Sequence, residues 1–138
     1  MKKIMILIVL ILSFAATCSA GTISFTLDAG PYNSPIEPRL RYPIYEIVTI
    51  VNDQPIEFSW WNDVANTSGF ILKLYKGYNM YADNLILKEN LPADAAFFKV
   101  KADSFEEGKV YTWSLVRVSF DGYKSDKSFN AFKVIKRQ

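Results

Sequence analysis

The chain has 138 residues, with 16 lysines and arginines against 14 aspartates and glutamates, no histidine and a single cysteine, Cys18. Without histidine, Ser-His-Asp, Cys-His and His-containing zinc constellations are excluded, and one cysteine cannot form an internal disulfide. Setting aside Lys2 and Lys3, which belong to the leader described next, basic and acidic residues balance, so no cationic excess is left to neutralise nucleic-acid phosphates.

Residues 1–20 read as a secretory signal peptide. Lys2 and Lys3 form the positive end, Ile4 to Leu12 are apolar, and Ser13 to Ala20 turn small and polar ahead of Gly21. The apolar run falls short of the roughly 18–20 residues that span a bilayer, and no later stretch qualifies. Cleavage after Ala20 is the expected processing. Cys18 is a second candidate, as the lipid acceptor of a membrane anchor, although Ala15 and Thr17 depart from the residues usual at such sites. Either outcome makes the chain extracytoplasmic.

Residues 21–43 form an extended, proline-bearing segment. Ile23, Phe25 and Leu27 alternate with polar residues, and four prolines follow in "PYNSPIEPRLRYP". Proline removes a backbone donor, so this stretch is expected to give an edge strand and a lead-in, not a central strand. From residue 44 onward, strand and turn signals recur at the spacing of an all-β sandwich. "YEIVTIV" ends at the turn "NDQP". "IEFSWW" sets Ile56, Phe58 and Trp60 against Glu57, Ser59 and Trp61. "FILKLY" aligns Phe70, Leu72 and Leu74, and a tyrosine-rich turn and a short edge strand in "LILKENLPAD" follow. "AFFKVKA" opposes Phe98 and Val100 to Lys99 and Lys101, and "SFNAFKVI" is the last strand. No helical period or internal repeat interrupts this order.

"EEGKVYTWSLVRVSF" holds the most informative local pattern. Tyr111, Trp113 and Leu115 share one face, with Phe105 and the turn Glu106-Glu107-Gly108 just before them. A tyrosine at the start of a late sandwich strand can bury its ring while its hydroxyl bonds the preceding corner, and Tyr111 is expected to pin that corner. Together with Phe58-Ser59-Trp60, Phe70-x-Leu72-x-Leu74 and Phe132-x-Val134, this set resembles the fibronectin type III family, particularly bacterial versions with a Y-x-W strand. The match covers roughly residues 44–135. It implies an immunoglobulin-like, antiparallel, two-sheet β-sandwich of about seven strands over 44–138. Such modules serve adhesion, spacing and binding, and the resemblance carries no particular ligand. Phe58, Trp60, Phe105, Tyr111, Trp113 and Phe132 are the expected core and corner residues. Two features depart from the pattern: Arg117 stands where a small residue is usual, and the apolar set switches to Val116, Val118 and Phe120. A β-bulge near Leu115, or a second face covered by the N-terminal segment, would explain the switch.

Nothing in the chain has the pattern of a catalytic group, and no cofactor or metal is expected. Asp53, Asp63, Glu106, Glu107 and Asp121 fall at turns, where acidic residues occur for conformational reasons. Asp83-Asn84, Asp121 and Asp126 lack calcium-loop spacing. The aromatic excess is the one feature pointing to binding. Trp61, Tyr75, Tyr78 and Tyr81 are expected on outward faces or in the loop after the third strand, able to anchor a protein or stack on a sugar. A protein partner or self-association is the expected mode, with a glycan as the alternative. A third reading is strand donation by residues 23–27 into a neighbour's sheet.

Overall fold

Alternating apolar and polar residues set the strands, and the places where alternation breaks set the turns. The structure, a computed structural model, describes residues 35–44 and 46–138. The leader, Cys18, the alternating stretch 23–27 and Tyr45 lie outside these residues. Eight strands are described: β1 (Arg39–Tyr42), β2 (Ile47–Val51), β3 (Ile56–Trp61), β4 (Gly69–Lys76), β5 (Leu85–Pro92), β6 (Phe97–Val100), β7 (Val110–Val118) and β8 (Ser128–Arg137). They form a three-stranded sheet in the order β1-β3-β6 and a five-stranded sheet in the order β2-β8-β7-β4-β5.

The eighth strand arises because the lead-in is shared between the sheets. β1 pairs antiparallel with β3, whereas β2 runs parallel to β8, the one parallel ladder among the described strands. Proline has no N–H to continue a ladder, and Pro43 ends β1. Its carbonyl accepts hydrogen bonds from the Trp113 indole N–H (2.9 Å) and from Asn130 Nδ2 (3.3 Å). The chain is thus held against the core where it leaves one sheet for the other. At the far end of β2, Asn52 and Asp53 take positive φ values of 51° and 54° in a tight turn, a conformation Asn and Asp tolerate.

Between the sheets lies an aromatic core. Phe58 reaches from β3 against three rings: Trp113, edge-on with centroids 5.1 Å apart, Phe132 at 5.9 Å and Phe105 at 6.4 Å. Leu72, Leu74, Leu115 and Val134 are fully buried around them. Gly69 permits the close approach of β4 and β5, since a Cβ there would stand 2.6 Å from the Leu91 carbonyl oxygen.

Tyr111 closes the corner before β7. Its ring packs edge-on against Phe105 at 5.0 Å, and its hydroxyl accepts the Glu106 backbone N–H at 2.8 Å. Gly108, at φ 72°, turns the chain so that its own N–H donates to the Val134 carbonyl at 2.9 Å. An ion pair joins Lys76, at the end of β4, to Glu106. That hydrogen bond from the ammonium holds the Glu106 carboxyl below the usual carboxylate range.

The bulge expected near Leu115 is absent. β7 pairs with β4 in unbroken register from Gly69↔Val118 to Lys76↔Tyr111. Alternation does not switch either, because Arg117 takes the next inward position after Leu115 and is itself buried. Val116 and Val118 are half-buried on the outward side, and Phe120 lies exposed beyond the strand.

Removing the Tyr111 hydroxyl strands the Glu106 N–H. Tyr111→Phe should therefore lower unfolding free energy by about 1–3 kcal/mol, read as an earlier denaturant midpoint with an unchanged slope. An unaltered midpoint would show that the corner does not depend on that bond.

Candidate functional site

The outward face of the three-stranded sheet gathers aromatic and cationic side chains from three strands. In β1 the pattern Arg-Leu-Arg-Tyr turns Leu40 and Tyr42 toward the core and leaves Arg39 and Arg41 exposed. β3 adds Trp61, 48% exposed, and β6 adds Phe97, 55% exposed. Register places Arg39 opposite Trp61 and Phe97 opposite Ser59. Trp61 and Phe97 are therefore diagonal neighbours, with backbones roughly 7–8 Å apart.

Each ring carries stacked charge. The Arg41 guanidinium lies 5.1 Å from the Trp61 ring centroid, that of Arg39 5.8 Å, and the Lys99 ammonium is 5.8 Å from Phe97. Cations favour the electron-rich faces of aromatic rings, so these contacts hold long side chains flat along the sheet. Arg39 also pairs with Asp63, and Lys99 with Glu57 at 3.7 Å. All four side chains are well exposed, so these pairs add little stability. Arg41 has no carboxylate partner among the described residues, which leaves its charge available to an acidic group from outside. Asn62 steadies the end of β3, donating from Nδ2 to the carbonyls of Ala93 (2.7 Å) and Ala95 (3.1 Å). No group of three or more acidic residues converges as a metal site among the described residues.

Of the four aromatics expected to bind, only Trp61 lies here. Tyr75 is 6% exposed and unavailable for stacking. It does stand on the outward row of β4, but Thr112 and Leu85 flank it from the adjacent strands, the latter through a register shift after Leu74. Tyr78 and Tyr81 are exposed. They follow the end of β4, whereas Trp61 belongs with the start of that strand, where Trp60 packs on Phe70. Eight residues of strand, about 25 Å, lie between. The four do not form one surface. The face includes four residues not selected from sequence: Arg39, Arg41, Phe97 and Lys99. Phe97 could have been found from the alternation that opposes it to Phe98. The arginines were hidden because β1 lies within a proline-bearing stretch.

Beneath this corner Arg117 is 1% exposed, its guanidinium 5.9 Å from the ring of its cross-strand neighbour Phe70. Its Nε and Nη1 have no hydrogen-bond partner among the described residues, and the same is true of Trp60 Nε1, whose ring also packs on Phe70. Burial pushes the Arg117 pKa down, against the opposing pull of Asp63. Its backbone is satisfied, since its N–H donates to Ser125 Oγ at 2.9 Å and its carbonyl accepts the Ser125 N–H at 2.9 Å. Three of the five turn-borne acids have structural partners: Asp63 pairs with Arg39, Glu106 with Lys76, and Glu107 accepts the Lys136 backbone N–H.

No family model and no curated protein matches the chain. Solved structures do match in fold. The fibronectin(III)-like modules of CbhA from Clostridium thermocellum are 12% identical, with 73% of this chain and 99% of the module covered at a TM-score of 0.50. The third fibronectin III domain of the human KIAA0343 protein is 15% identical over 75% of this chain and 84% of that domain, TM-score 0.51. A computer-redesigned β-sandwich protein is 9% identical over 75% and 99%, TM-score 0.54. At such identities the likeness establishes a fibronectin III-like sandwich and leaves ligands open.

Because the Arg117 guanidinium is buried with no counter-ion in hydrogen-bond contact among the described residues, Arg117→Met should raise unfolding free energy by about 1 kcal/mol or more. Chemical denaturation measures it. A marked loss of stability would mean that the charge is compensated and that its burial is not costly.

Proposed function

We propose that the chain is a non-catalytic, extracytoplasmic binding module whose outward Trp61–Phe97 face docks an acidic segment of a protein partner. The observation that carries this reading is the pair of half-exposed rings on one sheet, bearing three stacked cations of which Arg41 lacks a carboxylate partner among the described residues. Tryptophan and arginine dominate the energetics of protein interfaces because they combine large apolar contact with directed polar bonds. Strands also hold such groups in place at little entropic cost, so the face is organised before a partner arrives. The leader-like residues 1–20 support an extracytoplasmic setting, and the fibronectin III-like fold supports a contact module, where the surface and not the fold sets the partner.

A second reading, stacking of a sugar on Trp61, rests on the same ring being half-exposed on a sheet. Uronate or sulfate groups on such a glycan would meet Arg41. The two readings part in a direct comparison. Wild-type chain, Trp61→Ala and Arg41→Glu are each used as bait on cell-surface extracts and titrated against a panel of neutral and acidic glycans. The protein reading expects a partner retained by wild type, released by rising salt, and bound at least tenfold more weakly by either variant. Saturable glycan binding lost in Trp61→Ala would establish the second reading instead. A partner held equally by all three chains would overturn both. Trp61 and Arg41 are exposed, so their replacement should leave the melting temperature close to that of wild type.

A further inference from the structure

The four strands at the sheet edges are unequal. β1 carries Arg39 and Arg41 between Pro38 and Pro43, β5 carries Lys88 and Glu89 and ends in Pro92, and β6 is a four-residue strand containing Lys99. Charge, proline and brevity are the usual means of keeping an open edge from pairing. β2 has none of the first two: Ile47-Val48-Thr49-Ile50-Val51 is uncharged, β-branched throughout and free of proline. Ile47 is 55% and Val51 44% exposed, with exposed Thr49 between them, while Val48 and Ile50 are buried.

The backbone of this strand is half used. On the β8 side, the Lys133 N–H donates to the Glu46 carbonyl at 2.7 Å, and the Asn52 N–H to the Arg137 carbonyl at 3.0 Å. With Ile47 in register with Lys133 and Val51 with Arg137, these bonds assign the even-numbered residues to β8. Backbone groups alternate in direction along a strand, so the N–H and C=O of Ile47 and Thr49 and the N–H of Val51 are left for the open edge, while the Val51 carbonyl already accepts the Gln54 N–H at 3.1 Å. The residues with backbone groups unpaired among the described residues are thus the same ones that expose apolar or hydroxyl side chains.

We infer that this edge pairs with a second copy of the chain, antiparallel about a two-fold axis at Thr49. In that arrangement Ile47 lies opposite Val51 of the second copy, Thr49 opposite Thr49, and Val51 opposite Ile47. All three are hydrogen-bonded positions, and with each Val51 carbonyl engaged in its own turn about four bonds join the copies. The strand is self-complementary in the sense that a two-fold interface demands: apolar meets apolar, hydroxyl meets hydroxyl, and no like charges from within the strand face each other. The two five-stranded sheets join into one, and each copy keeps its Trp61 face, on its other sheet, free for a partner. The exposed Tyr78, which borders the same groove as Ile47 and Lys133, adds apolar surface beside the seam.

Sedimentation velocity across a concentration series tests the pairing. Wild type is expected to show a concentration-dependent monomer–dimer equilibrium. A chain with Ile47→Lys and Val51→Lys, and one with Ile47→Glu and Val51→Glu, should each remain monomeric with unaltered melting curves. Their mixture should restore a one-to-one dimer, because the antiparallel register sets every new lysine opposite a glutamate. Thr49→Arg, a single exposed change at the axis, should also abolish the dimer. Wild type that is monomeric at every concentration would overturn the inference, as would a dimer that survives the charged variants. So would assembly lost on deletion of residues 21–34, since the edge would then be filled by a donated N-terminal strand.

Discussion

With one cysteine in the sequence, no covalent bond can join the two sheets, and the sandwich depends on the packing of Phe58. Its ring crosses from the three-stranded sheet into a cage of Trp113, Phe132 and Phe105 contributed by the facing sheet and the corner before it. Aromatic side chains bury more surface than any others, and edge-on contacts such as Phe58 with Trp113 add to that burial. Trp113 serves twice, since its indole N–H also captures the carbonyl of Pro43 where the chain passes between sheets. Tyr111 repeats the same economy at the corner, placing a ring in the core and an oxygen on a backbone amide.

The two ends of the sandwich differ in how well they satisfy their buried polar groups. Around Phe105 and Tyr111, hydroxyl, indole and backbone groups find partners within the protein. Around Phe70, Trp60 Nε1 and two nitrogens of Arg117 find none among the described residues. Uncompensated groups of this kind cost stability and persist more readily where a surface has other work to do. The costly end is the one that supports Trp61, Arg39 and Asp63, the aromatic and cationic corner of the exposed face.

Much of the fold was legible because period-two alternation is a local signal. Phe58 and Trp60, Phe70 with Leu72 and Leu74, and Tyr111 with Trp113 and Leu115 all stand two residues apart and all face inward. Arg117 defeated that reading. A charged residue in an inward position looks like a change of phase, and only the unbroken register with β4 shows that the guanidinium itself fills the place. The division of the lead-in was likewise out of reach, since it depends on Trp113 and Asn130 meeting Pro43 across about seventy residues or more of chain. The exposed face combined both difficulties. Trp61 could be picked out by its position opposite Trp60, but its neighbours come from strands distant in sequence, and Tyr75 shows that an outward row is not always an exposed one.

The central claim is that the aromatic cage couples the two sheets in place of a covalent link. A double-mutant cycle on Phe58→Leu and Trp113→Leu, read by chemical denaturation, tests it most directly. Both residues are fully buried and touch edge-on, so the two losses should fall short of additive by about 0.5–1.5 kcal/mol. Simple additivity would mean that the rings contribute separately to burial, and that the sheets are held together elsewhere.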